Sequence, residues 1–252
     1  LADDRAIVLA RQREDESAEL WQGKAAWRVR PTSDFTGWAP VSATGLLIHD
    51  TLSARLHPAR ACAALAEAIE RLGGQIVCGE DTPHGGPVLW ATGHEGLAAL
   101  SDDLGQPVGN GVKGQALLLS HDRADQPQLF ADGLHVVPHS DGTLAIGSTS
   151  ERDFAAPDST DLQLDALHAR AVAAVPQLTD AKILQRWAGV RPRAKSRAPM
   201  LGPWPGRPGH YIANGGFKIG FGMAPKVSQV MADLVLEGCD AIPDGFRVEA
   251  SL

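Results

Sequence analysis

Apolar residues recur along this chain at two spacings, one typical of helices and one typical of strands. The clearest helical pattern begins at Pro58 and stops before the glycine pair at 73–74. Its apolar residues recur at helical intervals: Cys62, Leu65, Ala66, Ile69 and Leu72. A second helical pattern starts at Pro225 and ends at Gly238, which places proline in the first turn and glycine just past the end.

Shorter patterns predict further elements near the N-terminus and in the middle of the chain. Residues 5–11 are predicted to form a strand, followed by a short charged helix near 14–22. Thr160 and Gln163 have the spacing of a capping box, which predicts the start of a helix that Pro176 ends.

Two kinds of strand pattern indicate a mixed fold. Short apolar strands at residues 75–78 and 88–91 follow the first helix, which is typical of an α/β sheet. Residues 112–150 contain two Asp-Gly turns, at 132–133 and 141–142, which predicts an antiparallel meander. Further strands are predicted at residues 45–49, 183–189 and 211–213. The fold class is therefore α/β (α+β).

Composition argues against several kinds of partner. The 252 residues carry a formal net charge of −7, which disfavours nucleic acid and anionic membranes. No apolar run approaches the roughly 18 residues of a membrane span, and the charged start predicts that there is no signal peptide.

The cysteines and histidines lack metal-site spacing, so no metal is expected. We interpret Cys62 and Cys78 as core residues and expect a cytoplasmic location. The one dense basic run, residues 186–197, is too local for a general affinity for polyanions.

Two glycine-rich stretches are candidates for ligand binding. Residues 109–114 match G-x-G-x-x-G, but a strand pattern follows, so we interpret them as a loop entering a sheet rather than a dinucleotide site. Residues 214–225 place four glycines before the helix at Pro225. Backbone without β-carbons can approach a flat or anionic ligand closely, and a helix N-terminus favours negative charge. An ordinary glycine-rich turn is the competing interpretation.

Motifs in a fixed order cover nearly the whole chain. W-A-G-V-R-P at 187–192 is close to a W-A-G-L-R-P motif, and 214–225 resembles a closing G-x-x-x-x-G-x-x-x-A-P motif. Further matching segments lie at 57–60, 88–93, 112–117, 135–149 and 200–203. Together they resemble the D-amino-acid oxidase, glycine oxidase and sarcosine oxidase family of FAD-dependent oxidoreductases. No single motif is diagnostic, but their order and spacing are.

The resemblance implies an incomplete FAD/NAD(P)-binding Rossmann-like domain with an antiparallel-sheet substrate domain. Residues 1–50 would open the substrate domain, and 109–195 would form its antiparallel sheet. Residues 51–108 and 196–252 would belong to the FAD-binding domain. The family's N-terminal FAD-binding βαβ unit has no counterpart in this sequence. We expect that this segment was cut away, and the alternatives are that another subunit supplies it or that the protein is a degenerate member.

The resemblance also implies a function, with FAD as cofactor and an amine or amino acid as substrate. The C–N bond of glycine, a D-amino acid or a sarcosine-like amine would be oxidised by hydride transfer to the flavin, and oxygen or another acceptor would take the electrons. No catalytic side chain is expected, because the flavin performs the chemistry. The alternative is a non-catalytic fragment or accessory subunit that keeps the fold without binding FAD by itself. Homo-oligomer formation is left open.

Candidate site residues follow from the same motifs. The expected cofactor-binding residues are Thr92, Gly93, Gly215, Gly216, Phe217, Gly220, Phe221, Gly222 and Met223. Arg191 is the candidate for the substrate carboxylate, since a guanidinium suits bidentate carboxylate binding. A structural salt bridge is its competing role, and Arg193 is the local rival. Lys218 is a second substrate-binding candidate that could equally be a solvated lysine.

Overall fold

A helix opens the chain where the sequence pattern predicted a strand at residues 5–11. In the computed structural model, α1 (Asp4–Leu20) is preceded by Asp3, whose carboxylate accepts a hydrogen bond from the backbone N–H of Ala6 at 2.8 Å. This contact caps the helix. The strand prediction was wrong because the capping residue stands just before the apolar run, which then continues into the helix expected near 14–22.

The structure describes residues 1–79 and 85–252. The remaining helices are α2 (Pro58–Arg71), α3 (Gly93–Leu104), α4 (Gln163–Ala174) and α5 (Gly220–Glu237). The strands are β1 (Trp27–Pro31), β2 (Leu46–Asp50), β3 (Val88–Trp90), β4 (Gly109–Ser120), β5 (Leu129–Ala131), β6 (Leu134–Pro138), β7 (Thr143–Gly147), β8 (Lys182–Ala194), β9 (Met200–Pro203) and β10 (His210–Asn214). Within the two described ranges, no helix combines the length and apolar character needed to cross a membrane.

The described residues divide into two units. The first contains Leu1–Ile76, Ala116–Ser148 and Thr160–Trp187, and the second contains Val77–Gln115, Thr149–Ser159 and Ala188–Leu252. The four domain ranges expected from the sequence differ from this division and stay a prediction. The expected range 51–108 also includes residues 80–84, which lie outside the described part of the chain.

The first unit contains the antiparallel meander that the Asp-Gly turns predicted. β5, β6 and β7 pair in succession, and β4 follows β7 in the strand order. At the β5–β6 turn, Asp132 and Gly133 both have positive φ, 50° and 73°, as this short hairpin turn requires. The buried core of this unit comprises Trp38, Leu117, Leu119, Leu129, Leu134, Val136, Leu144, Ile146, Leu164, Leu167, Ala171, Val175 and Leu178.

Helix α2 is confirmed, but its apolar face does not contribute to a core. Leu65 is 63% exposed and Ile69 is 49% exposed. Cys62 and Cys78 are exposed as well, so their interpretation as core residues was wrong. The strand predicted at 75–78 is also wrong, because this segment has no strand pairing. Helical spacing identified which residues share a face of α2 but could not identify what covers that face.

Two predicted helix starts are shifted in the structure. The capping box at Thr160 does not form: α4 begins at Gln163, whose backbone N–H donates to the carboxylate of Asp161 at 2.9 Å. Helix α5 begins at Gly220, so Pro225 lies inside it rather than at its first residue. The predicted end at Gly238 is confirmed, and this glycine has a left-handed φ of 71°.

The second unit contains a three-stranded sheet in the order β3–β10–β9. β10 runs parallel to β3 and antiparallel to β9. The sequence predicted β3 and β10 but missed β9 and α3. One core includes side chains from α3, β9 and β10, and a second is formed largely by α5 with Leu201 of β9. The parallel pair matters for function, because parallel strands have their carboxyl ends at the same edge of the sheet.

A polar cluster holds the turn between β6 and β7. The hydroxyl of Thr143 donates to the Asp141 carboxylate at 2.6 Å, its backbone N–H donates at 3.0 Å, and Arg60 lies 2.9 Å away. These hydrogen bonds, the hydroxyl first, lower the pKa of Asp141 from 3.8 to about 2. His139 is buried here and stacks on the ring of His57.

We expect Asp141→Asn to lower the free energy of unfolding at neutral pH by about 1 kcal/mol, because an ionised hydrogen-bond acceptor is lost. A carboxylate with a depressed pKa stabilises the fold above its ordinary pKa and stops doing so as the pH falls through its folded pKa. The difference between wild type and variant should therefore shrink between about pH 4 and pH 2 in urea unfolding series. Asp158→Asn, at an exposed position, is the control. A difference that stays constant down to pH 2 would contradict the assignment.

Candidate functional site

The carboxyl ends of β3 and β10 lie side by side, with Trp90 opposite Ile212. Asn214, the last residue of β10, connects the segments that follow the two strands. Its side-chain nitrogen donates to the Gly93 carbonyl oxygen at 2.7 Å, and its side-chain oxygen accepts from the Gly215 N–H at 2.7 Å. Ligands of α/β sheets bind at this edge of the strands. Asn214 is the first residue of the glycine-rich segment, but no motif in the sequence predicts its contact with Gly93, 121 residues away.

A cavity of about 380 Å³ opens at this edge of the sheet. Seven of the nine expected cofactor-binding residues line it: Gly93, Gly215, Gly216, Phe217, Gly220, Phe221 and Met223. Thr92 and Gly222 do not line it. Eight residues that were not expected also line it: Ala91, Pro192, Pro199, Leu201, Ala213, Asn214, Ala224 and Val227. The first four come from parts of the chain distant from the glycine-rich segment.

Tight backbone packing shapes the glycine-rich wall. Gly215 has a left-handed φ of 73°, and a β-carbon there would lie 2.7 Å from the β-carbon of Ala194. A β-carbon on Gly216 would lie 3.0 Å from the Cα of Gly220. A β-carbon on Gly220 itself would meet no atom within 4 Å, although this residue lines the cavity. Gly215 and Gly216 therefore allow neighbouring backbone segments to pack closely, and Gly220 leaves open space in the cavity.

The N-terminus of α5 reaches the cavity at Gly220. The residue before it, Ile219, provides no capping side chain. The first N–H groups of a helix have no partner within the helix, and together with the helix dipole they favour an electron-rich group. The cavity therefore combines an apolar wall with a partly positive end.

Arg191 lies on β8, with its guanidinium packed against Gly114 of β4, where an added β-carbon would overlap it. The G-x-G-x-x-G segment at residues 109–114 forms part of β4 and not the loop that the sequence predicted. Burial lowers the pKa of Arg191, and the Glu151 carboxylate opposes this shift. Glu151 also lies 3.8 Å from the buried ammonium of Lys113. The Glu151 carboxylate thus interacts with two cations, Arg191 and Lys113.

Neither substrate-binding candidate lines the cavity. Lys218 is exposed, and its ammonium lies 5.6 Å from the ring centroid of Phe217. The guanidinium of Arg193, the local rival of Arg191, lies 5.7 Å from the same ring. Phe217 therefore has two cations within cation–π distance. The roles of Arg191 and Lys218 stay predictions.

Comparison with known proteins places this geometry in a family. The family model described as FAD dependent oxidoreductase, DAO, matches residues 2–234. The chain belongs to the DAO family. Glycine oxidase from Pseudomonas aeruginosa is 33% identical over 157 residues, which cover 60% of this chain and 42% of that protein. Glycine oxidase from Pseudomonas putida is 34% identical over 134 residues, which cover 53% of this chain and 36% of that protein.

Solved structures of DAO-like oxidases confirm the fold class. Iminodiacetate oxidase from Chelativorans superposes with a TM-score of 0.77 at 19% identity, covering 98% of this chain and 74% of that one. Glycine oxidase from Geobacillus kaustophilus gives a TM-score of 0.56 at 28% identity, covering 64% and 45%. The family resemblance drawn from the sequence motifs is thus confirmed. The chain matches less than half the length of its curated glycine oxidase relatives.

The residues of the cavity fit the cofactor of the DAO family. FAD carries a flat ring that gains negative charge on reduction, and the cavity offers glycine backbone, apolar side chains and uncapped helix N–H groups. Its volume lies within the range of about 300–1,000 Å³ typical of small-molecule sites. In the described ranges, His, Cys, Asp and Glu form no group of three or more that could hold a metal ion.

Proposed function

We propose that this DAO-family protein is an FAD-dependent oxidoreductase that oxidises the C–N bond of an amino acid or a secondary amine. The observation that carries the proposal is the glycine-lined cavity where α5 begins, beside the carboxyl ends of β3 and β10. The glycine oxidase relatives support a small substrate such as glycine, a D-amino acid or a sarcosine-like amine.

The cavity residues have distinct roles in this proposal. When bound, FAD accepts the hydride that leaves the substrate carbon next to nitrogen. Gly220 leaves room for the flat ring, Gly216 lets the chain pack closely against Gly220, and Phe217 and Phe221 cover apolar surface of the ring. The N–H groups at the start of α5 stabilise negative charge on the ring, an effect of about 0.3–2 kcal/mol. Thr92 and Gly222 do not line the cavity, and their cofactor-binding roles stay predictions.

Substrate binding is assigned to the basic residues near the cavity. Arg191 holds the substrate carboxylate, because its guanidinium is partly buried and a guanidinium can bind both oxygens of a carboxylate. Lys218 is the second substrate-binding residue, at the exposed side of Phe217. Because no general base is required for hydride loss from an amine, these residues act by positioning the substrate.

The proposal also covers the roles of the two units, the electron acceptor and the location of the protein. The second unit, which contains the cavity, contributes to FAD binding, and the first contributes the antiparallel sheet of the substrate domain. The electrons pass from flavin to oxygen or another acceptor, in the cytoplasm. The stretch of the relatives that this chain does not match would complete the cofactor site.

The test uses protein expressed from the complete reading frame. We expect it to purify yellow, with flavin absorbance, and we expect anaerobic addition of glycine, sarcosine or D-alanine to bleach that absorbance. Bleaching reports transfer of electrons from substrate to flavin whatever the natural acceptor is. A folded protein without flavin would favour the alternative of a non-catalytic subunit. Bound flavin that no amine reduces would contradict the proposed reaction.

A further inference from the structure

A second cavity, of about 360 Å³, lies in the same unit and shares no lining residue with the first. It is lined by Pro107, Gly109, Asn110, Arg193, Ala194, Lys195 and Arg197. Three of these side chains are cations, and none is a carboxylate. This cavity has no part in the proposed oxidation of amines.

A turn at the end of β8 brings the three cations together. The backbone N–H of Arg197 donates to the carbonyl oxygen of Ala194 at 3.0 Å, which closes the turn. Every second residue from 193 to 197 is basic, and all three of these residues face one cavity. Gly109 of β4 allows the close approach, because a β-carbon there would lie 2.6 Å from the carbonyl oxygen of Arg193.

In the described ranges, no aspartate or glutamate side chain forms an ion pair with this cluster. The ammonium of Lys195 donates to the carbonyl oxygen of Leu252 at 2.9 Å, and Arg193 lies over the Phe217 ring. The chain as a whole carries a net charge of −7, so a cluster of three cations runs against its overall composition.

The backbone at Arg197 supports a role for its side chain. This residue has a φ of 69°, in the left-handed region where glycine is favoured and other residues are strained. Arginine at this position therefore costs conformational free energy that glycine would not. A ligand that binds the guanidinium would offset this cost.

We propose that this second cavity binds a small phosphate-bearing anion with at least two negative charges. Guanidinium groups bind phosphate oxygens in pairs, and lysine adds a point charge. The volume of the cavity exceeds that of a single ion and falls at the lower end of the range for small organic ligands.

Pyrophosphate is the probe, and the shift of the thermal unfolding midpoint is the measurement. A ligand that binds only the folded state raises the midpoint in a saturable way. We expect this rise with wild-type protein and pyrophosphate, and we expect no rise with potassium chloride at matched ionic strength.

Arg197→Gly should unfold at or above the wild-type temperature without ligand, because glycine relieves the strained backbone. It should bind pyrophosphate about tenfold or more weakly, since one charged hydrogen-bonding group is lost. Lys195→Ala should weaken binding in the same direction.

Two control variants test whether pyrophosphate binds at the second cavity and nowhere else. Arg13→Ala removes an exposed arginine elsewhere and should leave pyrophosphate binding unchanged. Gly220→Leu fills the first cavity and should also leave pyrophosphate binding unchanged, which distinguishes the second cavity from the first as the binding site. Absence of a saturable shift in the wild type, or full affinity in Arg197→Gly, would overturn the proposal. Loss of affinity in Gly220→Leu would overturn it as well.

Discussion

Gly220→Leu is expected to yield folded protein without flavin, whereas Gly222→Leu should keep its flavin. Gly220 lines the first cavity, and a side chain added there would meet no protein atom within 4 Å of its β-carbon. The leucine would therefore occupy space meant for the ligand without disturbing its neighbours. Gly222 lies in the same helical turn and has equally open surroundings, but it does not line the cavity.

The two variants form a matched pair. Each replaces glycine in a helix by a residue whose helix propensity is better by about 0.8–1 kcal/mol, so neither should lose stability. The ratio of flavin absorbance to protein absorbance, measured on the complete reading frame, should fall close to zero for Gly220→Leu only. Equal flavin content in both variants would show that the cavity is not the ring site. Loss in both would show that the whole helix start matters and not the cavity wall.

Arg191→Ala is expected to raise KM for amino-acid substrates by about 10- to 100-fold while leaving flavin bound. The reason is the loss of a charged hydrogen bond to the substrate carboxylate, worth about 1.5–3 kcal/mol. Steady-state kinetics with glycine, together with flavin content, provide the measurement. An amine without a carboxylate should show little change in KM. An unchanged KM for glycine would remove Arg191 from substrate binding.

Gly114→Ala tests the same assignment without removing the charge. A β-carbon at this position would overlap the guanidinium of Arg191 and force it to move. We expect KM for glycine to rise in the same direction, and the double variant to be no worse than Arg191→Ala alone, because both changes act through one side chain. Gly189→Ala on β8 is the control, since its β-carbon would meet no atom within 4 Å. Full additivity would contradict the shared mechanism.

The elements that sequence predicted well are those specified by nearby residues. The Asp132-Gly133 turn requires positive φ at both positions, and these residue types tolerate it. The glycine-rich wall was likewise recognised because its chemistry lies within one short segment, residues 214–225. In both cases the information is local, so spacing and residue type were sufficient.

Features that depend on distant residues could not be derived in this way. Ala91, Pro192 and Leu201 reach the cavity only because of the strand order and the path of β8. The contact between Gly114 and Arg191 joins positions 77 residues apart, so the sequence alone could not show why the last glycine of G-x-G-x-x-G is needed. The start of α5 was placed too late because Pro225 was taken as a boundary, whereas it is the sixth residue of the helix and removes one backbone hydrogen bond without ending it.

Pro225 inside α5 also affects how its opening turn can fluctuate. Proline has no amide hydrogen, so the bond that would tie residue 225 to the carbonyl of Phe221 is missing. The turn formed by residues 220–224 is therefore weakly coupled to the rest of the helix and can fray without unwinding it, as low-stability segments of proteins do. A ligand seated against this turn would suppress the fraying, so order in the helix start and occupancy of the cavity would rise together.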